Sequence, residues 1–223
     1  QALGAGDRER GRRRASNALA AGVLFSSIFA FIVWQFLGPL VSLLGATGTT
    51  HEFAVHYLAI IVPTLPFLLL GMAGGAILRA HGDARRAMMA TVIGGLVNAV
   101  LDPILIFGFD LELTGAAIAS AASRVAIAVF ALLPIFRYHG GLSLPRPKAL
   151  FRDMSPIAAI ACPAILTQLA TPVGQAWVTR SMAEFGEEAV AGMAVVARMS
   201  PLAFATIFAL SGAVGPIVGQ NYG

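Results

Sequence analysis

The segment AMMATVIGGLVNAVLDPILIFG (87–108) decides the fold class of this chain. It is 22 residues long, it contains no Lys or Arg, and its one acidic residue is Asp102. A helix that crosses a bilayer needs about 20 predominantly apolar residues. The segment does not alternate strictly between apolar and polar residues, as a barrel strand would. It therefore predicts a transmembrane α-helix.

Five further apolar stretches accompany this segment. We predict six spans in all, at 16–44, 53–78, 87–108, 114–136, 154–182 and 189–219. The 223-residue chain is 57% apolar and 12% charged, whereas a soluble domain has about 25% charged residues. These values exclude an ordinary soluble enzyme, a disulfide scaffold and a disordered protein. The expected fold is all-α, a polytopic integral membrane bundle with six transmembrane helices.

Basic residues are concentrated in alternate loops. Twelve of the fifteen Lys and Arg fall in three segments, 7–14, 79–86 and 137–153. The loops between these segments carry acidic residues and no basic ones. By the positive-inside rule, the basic segments and both chain ends are expected on the cytoplasmic side of the inner (plasma) membrane. Because the basic residues then anchor the spans at the lipid headgroups, no nucleic-acid partner is expected.

A Gly- and Pro-containing stretch divides the chain. Residues 139–153 are predicted to link a first domain at 1–138 to the start of a second at 154–223. The pattern Gln-x-x-Gly begins both at Gln1 and at Gln220. This recurrence leads us to expect a segment of a longer protein that contains two repeats.

Asp102 is the only carboxylate well inside a predicted span, where ionisable groups are rare and costly. Asn98 lies one helical turn before it, and Pro103 removes a backbone donor beside it. Counting from the ends of the two spans places Ser120 at nearly the same depth. We predict that Asp102, Asn98 and Ser120 form one polar pocket for a monovalent cation or a proton. A neutral Asp102 that joins helices by a hydrogen bond to Asn98 is the structural alternative.

Other side chains inside the spans are candidates for the lining of a cavity. Arg124 lies four residues beyond Ser120, where it can pair with Asp102, meet a substrate or bond to neighbouring carbonyl groups. The remaining candidates are Gln168, Thr171, Gln175 and Met72. His51 and His56 have the wrong spacing for one helical face and lack a third ligand, so no metal site is expected. No catalytic residue is expected either, since catalysis needs at least two convergent groups.

Several motifs resemble the multidrug and toxic compound extrusion (MATE) family. LRAHGD is similar to the family's motif between helices 4 and 5, and NAVLDPILIFG with GAAIAS is similar to helices 5 and 6. CPAILTQLATPVGQ is similar to the start of the second lobe, and VGQNYG to the end of helix 8. These motifs lie at 78–83, 98–108, 115–120, 162–175 and 218–223.

The resemblance implies a two-lobed antiporter of twelve helices, of which this chain would be helices 3 to 8, in the DinF-like branch. It places Asn98, Asp102 and Ser120 at the cation or proton site that this branch has in its first lobe. The acidic partner expected on helix 1 lies outside the chain. In the NorM-type branch a coupling Glu stands on helix 7, where this chain has Thr171, which puts second-lobe coupling in doubt.

The activity implied by the resemblance is efflux of small organic, often cationic drugs by alternating access, driven by H⁺ or Na⁺. A complete protein of this kind would be a monomer in the bilayer and would need no cofactor beyond the coupling ion. Two alternatives stay open: a lipid-linked-saccharide flippase of the same superfamily, and a structural membrane subunit that transports nothing. A membrane-embedded enzyme is disfavoured because Asp102 has no second acid or His at its depth.

Overall fold

A computed structural model describes residues 8–43, 48–142, 147–183, 185 and 187–221. Within these residues the regular structure is helical and no strand occurs, in agreement with the predicted all-α fold. The α-helices are α1 Arg8–Gln35, α2 Leu37–Leu43, α3 Gly48–Ile61, α4 Leu65–Ala80, α5 Ala84–Pro103, α6 Glu112–Tyr138, α7 Pro147–Ala183, α8 Glu187–Ala203 and α9 Ala205–Asn221.

Four described stretches are long and apolar enough to cross a membrane. They are Gly11–Gln35, Gly48–Ala80, Ala84–Gly108 and Glu112–Tyr138. They coincide with the first four predicted spans, which are thereby confirmed in number and approximate position. The fifth predicted span lies within α7, and the sixth covers α8 and α9.

The boundaries differ from the prediction at three places. The first predicted span is divided between α1 and α2 at Phe36, because Pro39 lacks an N–H and its ring crowds the carbonyl of Gln35. The sixth is divided at Phe204, shortly after a proline in α8. α7 begins at Pro147, inside the predicted linker, and proline is favoured at the first position of a helix.

The second span is bent in its middle. It consists of α3, a short 3₁₀ turn at Val62–Thr64, and α4. Pro63 lies in the turn and Pro66 follows it in the first turn of α4. Neither proline can donate a backbone hydrogen bond, so the α-helical ladder is interrupted here.

The third span ends in an unusual helical turn. α5 stops at Pro103, and Ile104–Gly108 form a π-helical turn before the chain reverses into α6. Such turns are rare and are found frequently at functional sites. Asp102 therefore lies immediately before a widened helical turn, at the end of α5.

The best-packed part of the described structure is the group formed by α4, α5 and α6. Leu78 and Ile135 are almost completely buried there, and small residues line the contacts between the helices. Gly71 and Gly74 bring α4 close to α6, and Gly94 brings α5 close to it. Most large apolar side chains outside this core are exposed, as expected for helices that face lipid.

Candidate ion-coupling site

One oxygen of Asp102 is buried without a partner. Its Oδ1 has essentially no accessible surface and receives no hydrogen bond from any described residue. The residue as a whole is half-buried. A buried carboxylate oxygen without a donor is costly, and binding a proton or a cation removes that cost.

Asn98 and Ser120 are half-buried. Asn98 lies one helical turn before Asp102 on α5, and Ser120 lies on the neighbouring helix α6. In the part of the chain that the structure describes, neither side chain makes a hydrogen bond. The hydrogen bond between Asp102 and Asn98 that the structural alternative requires is therefore not formed there. Both side chains remain able to coordinate an ion.

Two contacts give the register between the antiparallel helices α5 and α6. Ser123 Oγ donates to Gly94 O at 2.8 Å. Nearer the turn, Gly115 lies against the backbone of Leu105, where an added Cβ would be 2.8 Å from the Leu105 carbonyl carbon. The two helices are therefore in direct backbone contact on both sides of the predicted pocket.

The helix bounds change the count on which the predicted depth of Ser120 rested. The prediction assumed that α6 begins at Gly115, but it begins at Glu112. Counted at about 1.5 Å per residue from the two contacts, Ser120 is level with the part of α5 at about 97–100, which is between about half a turn and one and a half turns from Asp102.

Arg124 does not pair with Asp102 in the described structure. Its Nη1 donates to Ile61 O at 3.1 Å and to Thr64 Oγ1 at 2.8 Å. From the sequence, Asp102, a substrate and neighbouring carbonyl groups were the candidate partners of Arg124. The structure shows a carbonyl group, that of Ile61. The guanidinium is half-buried between α6 and the bent second span.

The other predicted lining residues do not join the Asp102 site. Met72 lies on α4 and is 68% exposed. Gln168, Thr171 and Gln175 lie on α7, and their side chains are also exposed. They share one side of that helix by their spacing, as predicted, but they lie on α7 rather than on α5 or α6.

A groove that was not predicted lies between α1 and the bend of the second span. Its volume is about 260 Å³. It is lined by Ser27, Ala30, Phe31, Trp34, Pro63 and Pro66. The two prolines were the sequence signal for the bend, but nothing in the sequence indicated that α1 would pack beside it.

The two histidines near the start of the second span are engaged by neighbouring residues. His51 Nε2 lies 3.1 Å from Gly38 O, and His56 Nε2 lies 3.0 Å from Thr114 Oγ1. Among the described residues, no group of three His, Cys, Asp or Glu side chains is arranged to hold a metal ion.

The LRAHGD motif forms a polar cluster at the other end of the bundle. Asp83 accepts a hydrogen bond from the Arg86 backbone N–H at 3.3 Å and so caps α5. Its carboxylate also pairs with the Arg86 guanidinium and with His139 Nε2, the latter at 3.1 Å. Partial burial raises the pKa of Asp83, but these hydrogen bonds outweigh it and hold the pKa below its ordinary value.

Comparison with known protein families shows which family this chain belongs to. The MatE family model matches residues 1–104 and 163–223, which is most of the chain. This chain belongs to the MATE family. MATE proteins are multi-pass membrane transporters and not enzymes, as the sequence predicted.

Curated MATE relatives are longer than this chain. This chain is 33% identical to the FAD transporter of Shewanella oneidensis, over 84% of this chain and 43% of that protein. It is 28% identical to the multidrug export protein MepA of Staphylococcus aureus, over 99% of the chain and 49% of that protein. The chain therefore spans about half the length of the curated relatives that it matches.

Solved MATE structures share the architecture. A point mutant of the Vibrio cholerae MATE transporter VcmN superposes with a TM-score of 0.89 at 26% identity. The match covers 98% of this chain and 50% of the solved chain. A MOP superfamily transporter from Pyrococcus furiosus gives a TM-score of 0.88 at 25% identity, over 99% of this chain and 50% of that chain.

Proposed function

We propose that this chain forms helices 3 to 8 of a two-lobed MATE antiporter that exports small organic, often cationic compounds in exchange for H⁺ or Na⁺. The observation that carries the proposal is the buried, unpartnered Oδ1 of Asp102. A single carboxylate with an amide and a hydroxyl in adjacent turns provides hard oxygen ligands for a monovalent cation. A proton carried on the same carboxyl group is the alternative form of the coupling ion.

Coupling requires that the ion favour one conformation of the transporter over the other. A ligand shifts a conformational equilibrium only by the difference between its affinities for the two states. Neutralising Asp102 removes the cost of its unpartnered oxygen in the conformation seen here. The ion would therefore stabilise this conformation, and its release on the other side would favour the alternative one.

The proposed organisation places 1–138 in the first lobe and 154–223 at the start of the second. It is supported by the coverage of relatives, since the chain spans 43% and 49% of two longer relatives. On this organisation the complete transporter is a monomer in the inner membrane, with the basic loops on the cytoplasmic side. No cofactor is proposed apart from the coupling ion.

The substrate is proposed from the names of the relatives. MepA is named as a multidrug export protein, which supports organic drugs as the first candidate substrates. The Shewanella relative is named as an FAD transporter, which supports a flavin dinucleotide as the second candidate. Neither name favours the flippase alternative. Cells that lack their own pumps and express the complete protein should be assayed for efflux of ethidium and for export of FAD.

The test of ion coupling is D102N in the complete protein that carries this sequence, with D110N as the matched control. Asp110 is also acidic, but it is exposed in the loop between the third and fourth spans. D102N should abolish efflux driven by an ion gradient while membrane insertion stays normal, and D110N should transport like wild type. Wild-type efflux by D102N would refute the proposed coupling role.

A further inference from the structure

The bend in the span Gly48–Ala80 leaves two backbone carbonyl groups without their helical donors. The first is that of Ala59, because Pro63 has no N–H with which to bond it. Inside a bilayer no water is available to replace the missing donor, so the acceptor has to be satisfied by another part of the protein.

Trp34 of α1 satisfies the first carbonyl. Its indole Nε1 donates to Ala59 O at 3.2 Å. The same indole lines the groove beside Pro63 and Pro66. An indole N–H is a donor only, so its contact with a carbonyl at the bend is a specific pairing.

The second carbonyl is that of Ile61. An unbroken α-helix would bond it to the Leu65 N–H, but that N–H donates to Val62 O, and the i→i+3 pattern of the 3₁₀ turn gives Ile61 O the Thr64 N–H in its place. Ile61 O accepts from Thr64 Oγ1 at 2.6 Å and from Arg124 Nη1 at 3.1 Å. Arg124 Nη1 also donates to Thr64 Oγ1 at 2.8 Å, so one guanidinium nitrogen binds both acceptors of the turn.

These contacts connect the bend to the Asp102 site. Arg124 is one helical turn from Ser120 on the same side of α6. A side chain that is fixed on the second span at Ile61 limits the rotation and sliding of α6. It thereby limits the movement of Ser120 relative to α5, which carries Asn98 and Asp102.

We propose that Trp34 and Arg124 are positioning residues that hold the bend of the second span and so fix Ser120 of α6 relative to α5, which carries Asn98 and Asp102. The transport part of this proposal rests on the proposed function. The geometry of the bend is a separate property, and it is measurable whether or not the protein transports.

The first test combines W34F with P63A in the complete protein. P63A restores a backbone N–H for Ala59 O, so the indole donor is no longer needed.

Spin labels at residues 50 and 76, in a background without other cysteines, report the distance across the bend. W34F should change that distance and raise the ion concentration for half-maximal ethidium transport about tenfold, the order expected when a carbonyl group inside the bilayer loses its donor. In the P63A background W34F should add no further change in either quantity.

The control for this test is W177F, because Trp177 is 72% exposed on α7 and makes no hydrogen bond in the described structure. W177F should leave the distance and the ion dependence unchanged. The positioning role of Trp34 is overturned if W34F behaves like W177F, or if the effects of W34F and P63A simply add.

The second test compares R124K with R124M. Lys keeps N–H donors for Ile61 O and Thr64 Oγ1, whereas Met keeps none. R124K should retain the distance across the bend, and R124M should change it and shift the ion dependence as W34F does. If R124M does not insert into the membrane, R124Q takes its place, since an amide donor without charge should still preserve the bend. A changed bend in R124K and R124Q alike would overturn the role of Arg124.

The two readouts separate failure of this inference from failure of the proposed function. If the wild type shows no ion-dependent transport but W34F changes the bend and P63A rescues it, the proposed function fails and the hydrogen-bonded bend stands. If transport is ion-dependent but the bend is insensitive to W34F and R124M, the inference fails alone.

Discussion

Gly94 and Gly95 are neighbours in α5, but Gly94 packs against α6 whereas Gly95 faces open space. A Cβ added at Gly94 would overlap with Ile127 Cγ1, a separation that real atoms do not tolerate. The same atom at Gly95 would meet nothing within 4 Å. The close approach of α5 to α6 therefore depends on one of the two glycines, and the hydrogen bond from Ser123 to Gly94 O depends on that approach.

The substitution G94A should destabilise the bundle by about 1–3 kcal/mol, because Ile127 has to leave its position in a well-packed contact. G95A should be neutral or stabilising by about 0.5–1 kcal/mol, because Ala is the better helix former. Thermal unfolding of the detergent-solubilised complete protein measures both. Equal melting temperatures for the two variants would contradict the packing described here.

Ser120 should contribute its hydroxyl rather than its size to the site. S120T retains the hydroxyl and should keep ion-dependent transport near the wild-type level. S120A should weaken the apparent affinity for the coupling ion about tenfold, the order expected for the loss of one ligand to a charged group. The measurement is transport rate against ion concentration. An unchanged ion dependence in S120A would remove Ser120 from the site.

At the scale of helices, Asp83 joins two elements at one end of the bundle. It caps the start of α5, and its carboxylate pairs with His139, which follows the end of α6. The ring of His139 also lies 4.7 Å from that of His81, which follows the end of α4. The cluster thus connects the ends of all three helices of the packed core.

This cluster should give a pH dependence of stability with a definite sign. The pKa of Asp83 is lowered in the folded state, so its stabilisation is fully present above the ordinary value of 3.8 and is lost as the pH falls through the lowered value. At pH 7, D83N should cost about 1 kcal/mol while keeping the helix cap, since Asn also caps well. D83A should cost more, because it loses the cap as well. Melting curves from pH 7 to below pH 3 test this, and a D83N penalty that persists at the lowest pH would contradict it.

The helices themselves were predictable because apolar length alone determines them. The first four spans were placed from the length of their apolar stretches. Pro63 and Pro66 are the residues in the sequence that account for the bend in the second. The break at Phe36 was missed although Pro39 signalled it, and the start of α7 was missed although Pro147 is typical of a first helical position.

The lateral contacts could not be predicted in the same way. The bond from Trp34 to Ala59 and the bond from Arg124 to Ile61 join positions 25 and 63 residues apart, and they depend on which helices are neighbours. The start of α6, from which the depth of Ser120 was counted, was placed three residues late, at Gly115 instead of Glu112. A sequence pattern gives periodicity within a helix, but it does not give the register between two helices.

At the scale of the whole molecule, α7, α8 and α9 differ from the packed core. Their described side chains are mostly exposed, including large apolar ones such as Leu166, Trp177 and Leu202. Surfaces of this kind face lipid or a second set of helices. This agrees with the proposed assignment of α7 to α9 to the start of a second lobe.

The proposed orientation is testable by labelling. In an otherwise cysteine-free complete protein, a cysteine at Asp110 should react with a membrane-impermeant maleimide added outside intact cells. A cysteine at Gly82 or Gly140 should react only after the cells are opened, because these positions flank the basic loops. Labelling of all three positions from the same side would contradict the alternating arrangement of the spans.

Gradient-driven transport in proteoliposomes tests whether Asp102 couples ion movement to transport. The complete protein is reconstituted, and a pH gradient or a Na⁺ gradient is imposed separately while ethidium movement is followed. We predict that one of the two gradients drives transport by the wild type and by D110N, and that D102N shows no response to either. Gradient-driven transport by D102N at the wild-type rate would contradict the account.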